Sequence, residues 1–234
     1  MKTYRARSGP FSERPYYKDQ EIEDTCLDEL RTAGLLPSSP SPIRIERFIE
    51  KRFGVTPTYE DLAEGVLGFT KFGPKGVQEI IVARSLDQDG GKAADRRIRS
   101  TLAHEAGHGL LHAHLFLSIT KEYSLFGDFS DPNAPKVLCR DIAGTAQQPG
   151  YDGRWWEYHA NRAIAGFLLP KPLVHVAVEP FLVKRGMLGM GLLESASRER
   201  AVAFVAETFD VNPVVARIRL QQMYPIENEQ QLTL

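Results

Sequence analysis

Arg96-Arg-Ile-Arg-Ser-Thr-Leu-Ala-His-Glu-Ala-Gly-His108 decides how the rest of the chain is read. A helical pattern covers about residues 95–116, with Asp95 as the expected N-cap, and His104 and His108 lie inside it. At about 100° per residue, positions four apart fall within about 40° of each other, so the two imidazoles point at one spot. With Glu105 beside them they form H-E-x-x-H: two neutral nitrogen donors suited to Zn2+, and a carboxylate able to take a proton from activated water without binding the metal. Gly107 and Gly109 each cost about 1 kcal/mol in a helix interior. A helix built only for stability would not carry them, so they predict close approach by another element.

Two further histidines follow within the same stretch. His114 stands where H-E-x-x-H-x-x-G-x-x-H places a third ligand, but that pattern needs a helix-breaking glycine where Leu111 stands. The helix continues instead, and His114 projects about 80° away from His104. His112 lies nearer the metal face, two turns beyond His104, and is expected to pack or to support a ligand rather than be one. The third ligand is expected from a second helix that opens near Asp152 and stops at Pro170. There Glu157, Ala160, Asn161, Ile164 and Leu168 share one face. A carboxylate on an apolar stripe needs a cation. Asn161, one turn on, is placed to bond the free ring nitrogen of a ligating histidine. His159 is the competitor, but two residues turn the helix by about 200°, so both cannot face one metal. Glu157 is preferred, and His159 is read onto a more polar stripe with Arg162.

Composition excludes several other classes. The 234 residues carry a net charge of −1, with 42% hydrophobic and 25% charged residues, which suits an ordinary globular chain without a dominant phosphate-binding surface. Two cysteines, Cys26 and Cys139, are too few for a disulfide framework or a four-cysteine zinc ribbon. The first twenty residues lack an apolar core for a secretory signal, and no apolar run is long enough to cross a bilayer. A cytoplasmic location and no membrane partner are expected.

Outward from the histidine helix, residues 1–19 read as a polar arm and 20–190 as the body of the domain. Residues 191–234 form a C-terminal helical pair, helix 195–208 and helix 213–223, with Asn212-Pro213 opening the second. A helix covers 19–36, ended by Gly34, and another ends at Gly54. Residues 66–72 and 77–86, joined by Gly73-Pro-Lys-Gly76, read as a hairpin. Residues 117–152 are irregular with a weak strand signal near 136–140, and 173–190 are ambiguous.

The Arg96–His108 stretch resembles the arginine-rich lead into T-L-A-H-E-x-x-H of ImmA/IrrE-type metallopeptidases, gluzincin-like enzymes. Glu157-Tyr-His-Ala-Asn161 with Phe167-Leu-Leu-Pro170 is similar to that family's second block, E-x-E-A-N…L-M-P. His159 and Leu169 depart from it, where an acid and a methionine are usual. The segment 42–54 and the C-terminal pair are looser matches. The resemblance implies an α+β fold: a zincin-like core with a small β-sheet or hairpin on the H-E-x-x-H helix, plus a C-terminal helix-turn-helix-like pair. It implies one Zn2+ per chain held by His104, His108 and Glu157. It also implies an endopeptidase acting on a helix-turn-helix repressor of a mobile element or stress response. No counterpart of the sensor domain appended in some relatives is expected.

In the expected reaction Glu105 is the general base, and strand 77–86 pairs with extended substrate. Tyr151, Tyr158, His159 and His175 are the candidates for stabilising the oxyanion. Cys139 is a candidate inhibitory fourth ligand, with a small semi-buried loop residue as the plainer alternative. The competing function is a DNA- or protein-binding regulator with a structural metal. Arg198, Arg200, Arg217 and Arg219 against Glu199, Glu207 and Asp210 leave too small a margin for a phosphate-binding face, so direct nucleic-acid binding is not expected.

Overall fold

Two glycines punctuate the first third of the chain. The computed structural model describes residues 2–5, 13–73, 75–88, 90–124, 137–140, 155–185 and 190–225. Helix α1 (Asp19–Thr32) gives way to Gly34 at φ +64°, and α2 (Ile45–Phe53) to Gly54 at φ +72°. Without a Cβ these residues enter the left-handed region freely, and after Gly34 the Leu35 N–H bonds back to the Leu30 carbonyl at 2.9 Å. Ile22, Cys26 and Leu30 form the buried stripe of α1, and Ile45, Phe48 and Ile49 that of α2. Ahead of them the expected polar arm contains a hairpin, β1 (Lys2–Arg5) antiparallel to β2 (Glu13–Tyr16). Its charged residues hide the strand period.

The expected hairpin forms as β4 (Val66–Gly73) and β5 (Gly76–Ala83), antiparallel, with a register shift at Lys71/Phe72. Its second strand stops sooner than the sequence suggested, because 85–88 turn into the short helix α3 (Ser85–Gln88) with Leu86 buried. The short β3 (Thr58–Glu60) adds parallel to β5, and β6 (Val137–Arg140), where the weak strand signal lay, adds antiparallel to β4. The sheet order is therefore β3-β5-β4-β6. Ile80 to Ala83 are buried on both faces, as in an inner strand.

Across this sheet lies α4 (Gly91–Ser124). It starts four residues before Asp95, which is exposed inside the helix rather than capping it; Lys92, Ala93 and Ala94 favour helix and extend it backwards. Residues 100–109 are buried all round, with the sheet on one side and helices on the other. The chief helical partner is α5 (Trp155–Leu168), which in turn packs on α1. Proline at 170 ends α5, and the ambiguous segment beyond resolves into α6 (Lys171–Val178), a 3-10 turn (Glu179–Phe181), and the hairpin β7 (Val183–Arg185) and β8 (Met190–Leu192). The C-terminal pair is α7 (Ser195–Phe209) and α8 (Pro213–Met223), and the Asn212 side chain accepts from Val214 N–H at 2.9 Å.

One buried cluster runs from Ile22 through Leu102 and Phe167 to Phe209 and Leu220, so the C-terminal pair shares the core of the body. Buried and half-buried arginines join the two. The Arg96 guanidinium donates to Asp210, Glu207 and the Ala206 carbonyl, and Arg99 donates to Asp210 and the Ile43 carbonyl. Arg219, fully buried, donates to Glu23 on α1 and to the Leu169 carbonyl. The fold is α+β, with eight α-helices and small sheets among the described residues. No single helix among these residues is long and apolar enough to cross a membrane; the bent pair Trp155–Leu168 and Lys171–Phe181 has that composition, and its Ala163, Phe167 and Val174 are buried in the core.

Candidate metal centre

Closeness of two helices makes the site. A Cβ on Gly107 would stand 2.7 Å from Ala163 Cβ and 3.2 Å from Ala160 Cα, so α4 and α5 touch where no larger residue fits. Gly109 is equally crowded, by Val77 and Phe53. Both glycines thus have the close-approach role expected of them. The contact brings the His104/His108 face of α4 against the Glu157/Asn161 face of α5.

There, His104 Nε2 and His108 Nε2 are 3.0 Å apart, and Glu157 approaches them with Oε2 at 3.1 Å and Oε1 at 3.7 Å respectively. Among the described residues, this trio could hold a metal ion, with its donor atoms all within 4.8 Å of one another. Asn161 Oδ1 faces His104 Nδ1 at 3.0 Å. The ring donates there from Nδ1, which leaves the Nε2 lone pair directed at the trio. Burial lowers the pKa of His108 to about 4, although Glu157 pulls the other way. Burial opposes ionisation of Glu157, yet the neighbouring His104 and His108 rings outweigh this and hold the carboxyl well below the usual range. An anionic carboxylate and imidazole lone pairs meeting at hydrogen-bond distances form a donor set that a cation satisfies. The residues fit a metal ion.

Glu105 is fully buried beside the pair. Thr70 Oγ1 on β4 lies 2.8 Å from Glu105 Oε2 and 3.0 Å from the Glu105 backbone carbonyl, within donating distance of both. Thr70 was missed in the sequence. The inward positions of β4 are Gly68, Thr70 and Phe72, and a hydroxyl on an inward-facing strand position was the available signal. Gly68 admits the helix closely, since a Cβ there would meet Thr101 Cγ2 at 2.8 Å. The strand against the Glu105 side of the helix is therefore β4. The expected pairing strand, β5, is an interior strand between β3 and β4.

His112 sits behind His108, with the Nδ1 atoms 3.1 Å apart. His159 is not on a polar face: it is buried, 3.4 Å from His112 Nε2, with Tyr17 at 5.2 Å and Trp155 at 5.5 Å between ring centroids. The helix turn keeps it out of the metal trio as predicted, but α1 and its lead-in cover the face that looked solvated. His114 is exposed. Of the oxyanion candidates, Tyr158 is exposed and donates to Asp19 at 2.8 Å, and His175 pairs with the Tyr224 hydroxyl at 2.8 Å beyond α8. His159 lies behind His112, and Tyr151 is outside the described residues. Cys139 is in β6 opposite Gly68, with its side chain outside the described residues.

No family model matches the chain, and no curated protein matches it.

Proposed function

We propose that the protein is a zinc-dependent endopeptidase, with His104, His108 and Glu157 holding one Zn2+ and Glu105 as general base. The observation that carries this reading is the convergence of two ring nitrogens and an ionised carboxylate beside a second buried carboxylate. Zinc bonds to these atom types are about 2.0–2.1 Å long, so ligand atoms around tetrahedral zinc are about 3.3 Å apart. The contacts of 3.0, 3.1 and 3.7 Å bracket that spacing. When bound, zinc supplies Lewis acidity, polarising a carbonyl and lowering the pKa of water toward about 7. Glu105 takes the proton from water and returns it to the leaving amine, while Thr70 holds the carboxylate in place. Asn161 keeps His104 in the ligating tautomer.

A buried H-E-x-x-H helix lying on a mixed sheet supports a zincin-like core. With β5 and β4 both interior, an extended peptide that adds a strand at the β4 end of the sheet has the outer edge of β6 to pair with, among the described residues. The resemblance to ImmA/IrrE-type metallopeptidases supports the substrate class, a helix-turn-helix repressor of a mobile element or stress response. The packing of the C-terminal pair counts against the regulator alternative: Arg219 is buried on Glu23, Arg217 pairs with Glu199, and Arg198 bonds the Leu193 and Tyr224 carbonyls.

Metal analysis with co-expression of candidate repressors tests the reading. Wild type and Glu105→Gln are expected to carry about one zinc per chain, with cleavage only by the wild type, and Glu157→Ala to lose the metal. Zinc retained in Glu157→Ala but lost in His159→Ala would move the third ligand. Cleavage by Glu105→Gln would remove the general-base role. Retention of generic duplex DNA at low salt, without cleavage, would favour the regulator.

A further inference from the structure

We infer that His108, His112 and His159 form a one-directional imidazole relay that fixes the tautomer of the metal-binding ring, with His112 and His159 as positioning residues. This rests on the metal centre proposed above. It adds His159, which lies outside the trio and behind His112, to the machinery of the site.

The ring geometry is that of hydrogen bonds along ring edges. His112 Nε2 and His159 Nδ1 are 3.4 Å apart, with planes tilted by 18° and centroids at 5.6 Å. Face-to-face stacking would bring the centroids nearly as close as the atoms. Here the centroid spacing exceeds the nitrogen contact by two ring radii, so the rings lie nearly coplanar and edge to edge. His108 and His112 meet similarly, with nitrogens at 3.1 Å and centroids at 5.2 Å. The His104–His108 contact differs: nitrogens at 3.0 Å, centroids at 4.7 Å and planes at 78°, so those lone pairs converge beside the line between them rather than along it. One contact suits a shared cation and the other two suit shared protons.

A neutral imidazole has one donor and one acceptor nitrogen, so three in series allow two polarities. His112 and His159 are both buried, where water cannot replace a missing donor or acceptor, so that rule holds for each ring. A metal at His108 Nε2 requires the lone pair there and puts the proton on Nδ1. His112 Nδ1 must then accept and its Nε2 donate, so His159 accepts at Nδ1 and carries its own proton on Nε2. The opposite polarity ends with a proton on His108 Nε2, pointing into the donor set. Metal binding and relay polarity therefore select each other. Supporting hydrogen bonds of this kind are worth about ten- to a hundredfold in metal affinity.

The test reads tautomers and affinity on the full chain. Nitrogen-15 NMR of zinc-loaded wild type should show His159 and His112 protonated at Nε2 and His108 at Nδ1. Zinc Kd, by chelator competition, should rise about tenfold or more in His112→Leu and several-fold in His159→Leu, with His159→Gln restoring it through an amide acceptor. One zinc per chain with His159 protonated at Nδ1 overturns the relay and leaves the metal centre standing. So does an unchanged Kd in folded His112→Leu and His159→Leu. A wild type that takes up no zinc overturns both, because nothing then sets the polarity.

Discussion

Gly107 and Ala163 stand where the two helices that carry the donor trio touch, and the backbone spacing leaves 2.7 Å between the Ala163 methyl and any methyl placed at 107. That distance is too short for two carbons. The donor trio draws two side chains from one helix and one from the other, so its geometry depends on this contact directly.

Gly107→Ala is accordingly expected to push α5 away from α4. Overpacking of this kind costs about 1–3 kcal/mol, offset by the about 1 kcal/mol that alanine gains over glycine in a helix. Modest loss of stability with a larger loss of zinc affinity is the expected pattern. Urea unfolding of metal-free protein and chelator competition separate the two, and unchanged affinity would show that the crossing does not set the ligand spacing.

Asn161 acts on His104 through the 3.0 Å contact at Nδ1. Asn161→Ala leaves both ring tautomers open to His104 and should weaken zinc binding about ten- to a hundredfold. His104 protonated at Nε2 in the metal-free variant, seen by nitrogen-15 NMR, is the accompanying signature.

Thr70→Val keeps shape and removes the hydroxyl at 2.8 Å from Glu105 Oε2. Hydrogen bonds to charged groups are worth about 1.5–3 kcal/mol, so peptide hydrolysis should fall about ten- to a hundredfold. Zinc content should stay at the wild-type level, because the Thr70 hydroxyl bonds Glu105, which is not one of the proposed ligands. Loss of metal in this variant would place Thr70 in the structure of the centre rather than in the support of the base.

The longer helices and the donor trio were legible because each signal was local: four-residue spacing, a terminal glycine, a carboxylate on an apolar stripe. Partners from distant elements were not. Thr70 reaches Glu105 across 35 positions, and nothing near it in the chain calls for a carboxylate. His159 looked solvated because its own helix supplies polar neighbours, while Tyr17 comes from another element to cover it. The arginines before H-E-x-x-H read as a motif, and the structure gives two of them a physical task on the turn after α7.

Asp210 receives both Arg96 Nε and Arg99 Nη1 at 3.0 Å while holding φ +50° after α7. Asparagine tolerates that backbone region, so Asp210→Asn isolates the charge. Breaking a largely buried pair costs about 3–5 kcal/mol; Glu207, still bound to Arg96, should hold the loss to about 3 kcal/mol. Denaturant unfolding measures it, with zinc affinity expected to stay unchanged. A loss below about 0.5 kcal/mol, as for an ordinary surface change, would mean the clamp does not tie α4 to the C-terminal pair.

Acid should unfold the metal-free protein earlier than its carboxylates alone would require. His108 and His159 are lowered from 6.5 to about 4 in the fold, and His112 is lowered well below 6.5, in each case chiefly by burial. Below pH 6.5 the unfolded chain binds protons that the folded one refuses, so stability is full above that value and declines as the pH falls toward 4. Glu157, also lowered, adds to the decline below its ordinary 4.5, where the unfolded carboxyl protonates first. Each histidine contributes up to about 1.4 kcal/mol per pH unit within the window. Thermal or urea unfolding between pH 8 and 4 should therefore be flat at first and then slope, and His159→Gln should slope less. Saturating zinc should move the onset to lower pH, since the metal competes with those protons at His108. A metal-free profile that stays level from pH 6.5 to 5 would mean that these rings accept protons in the folded state.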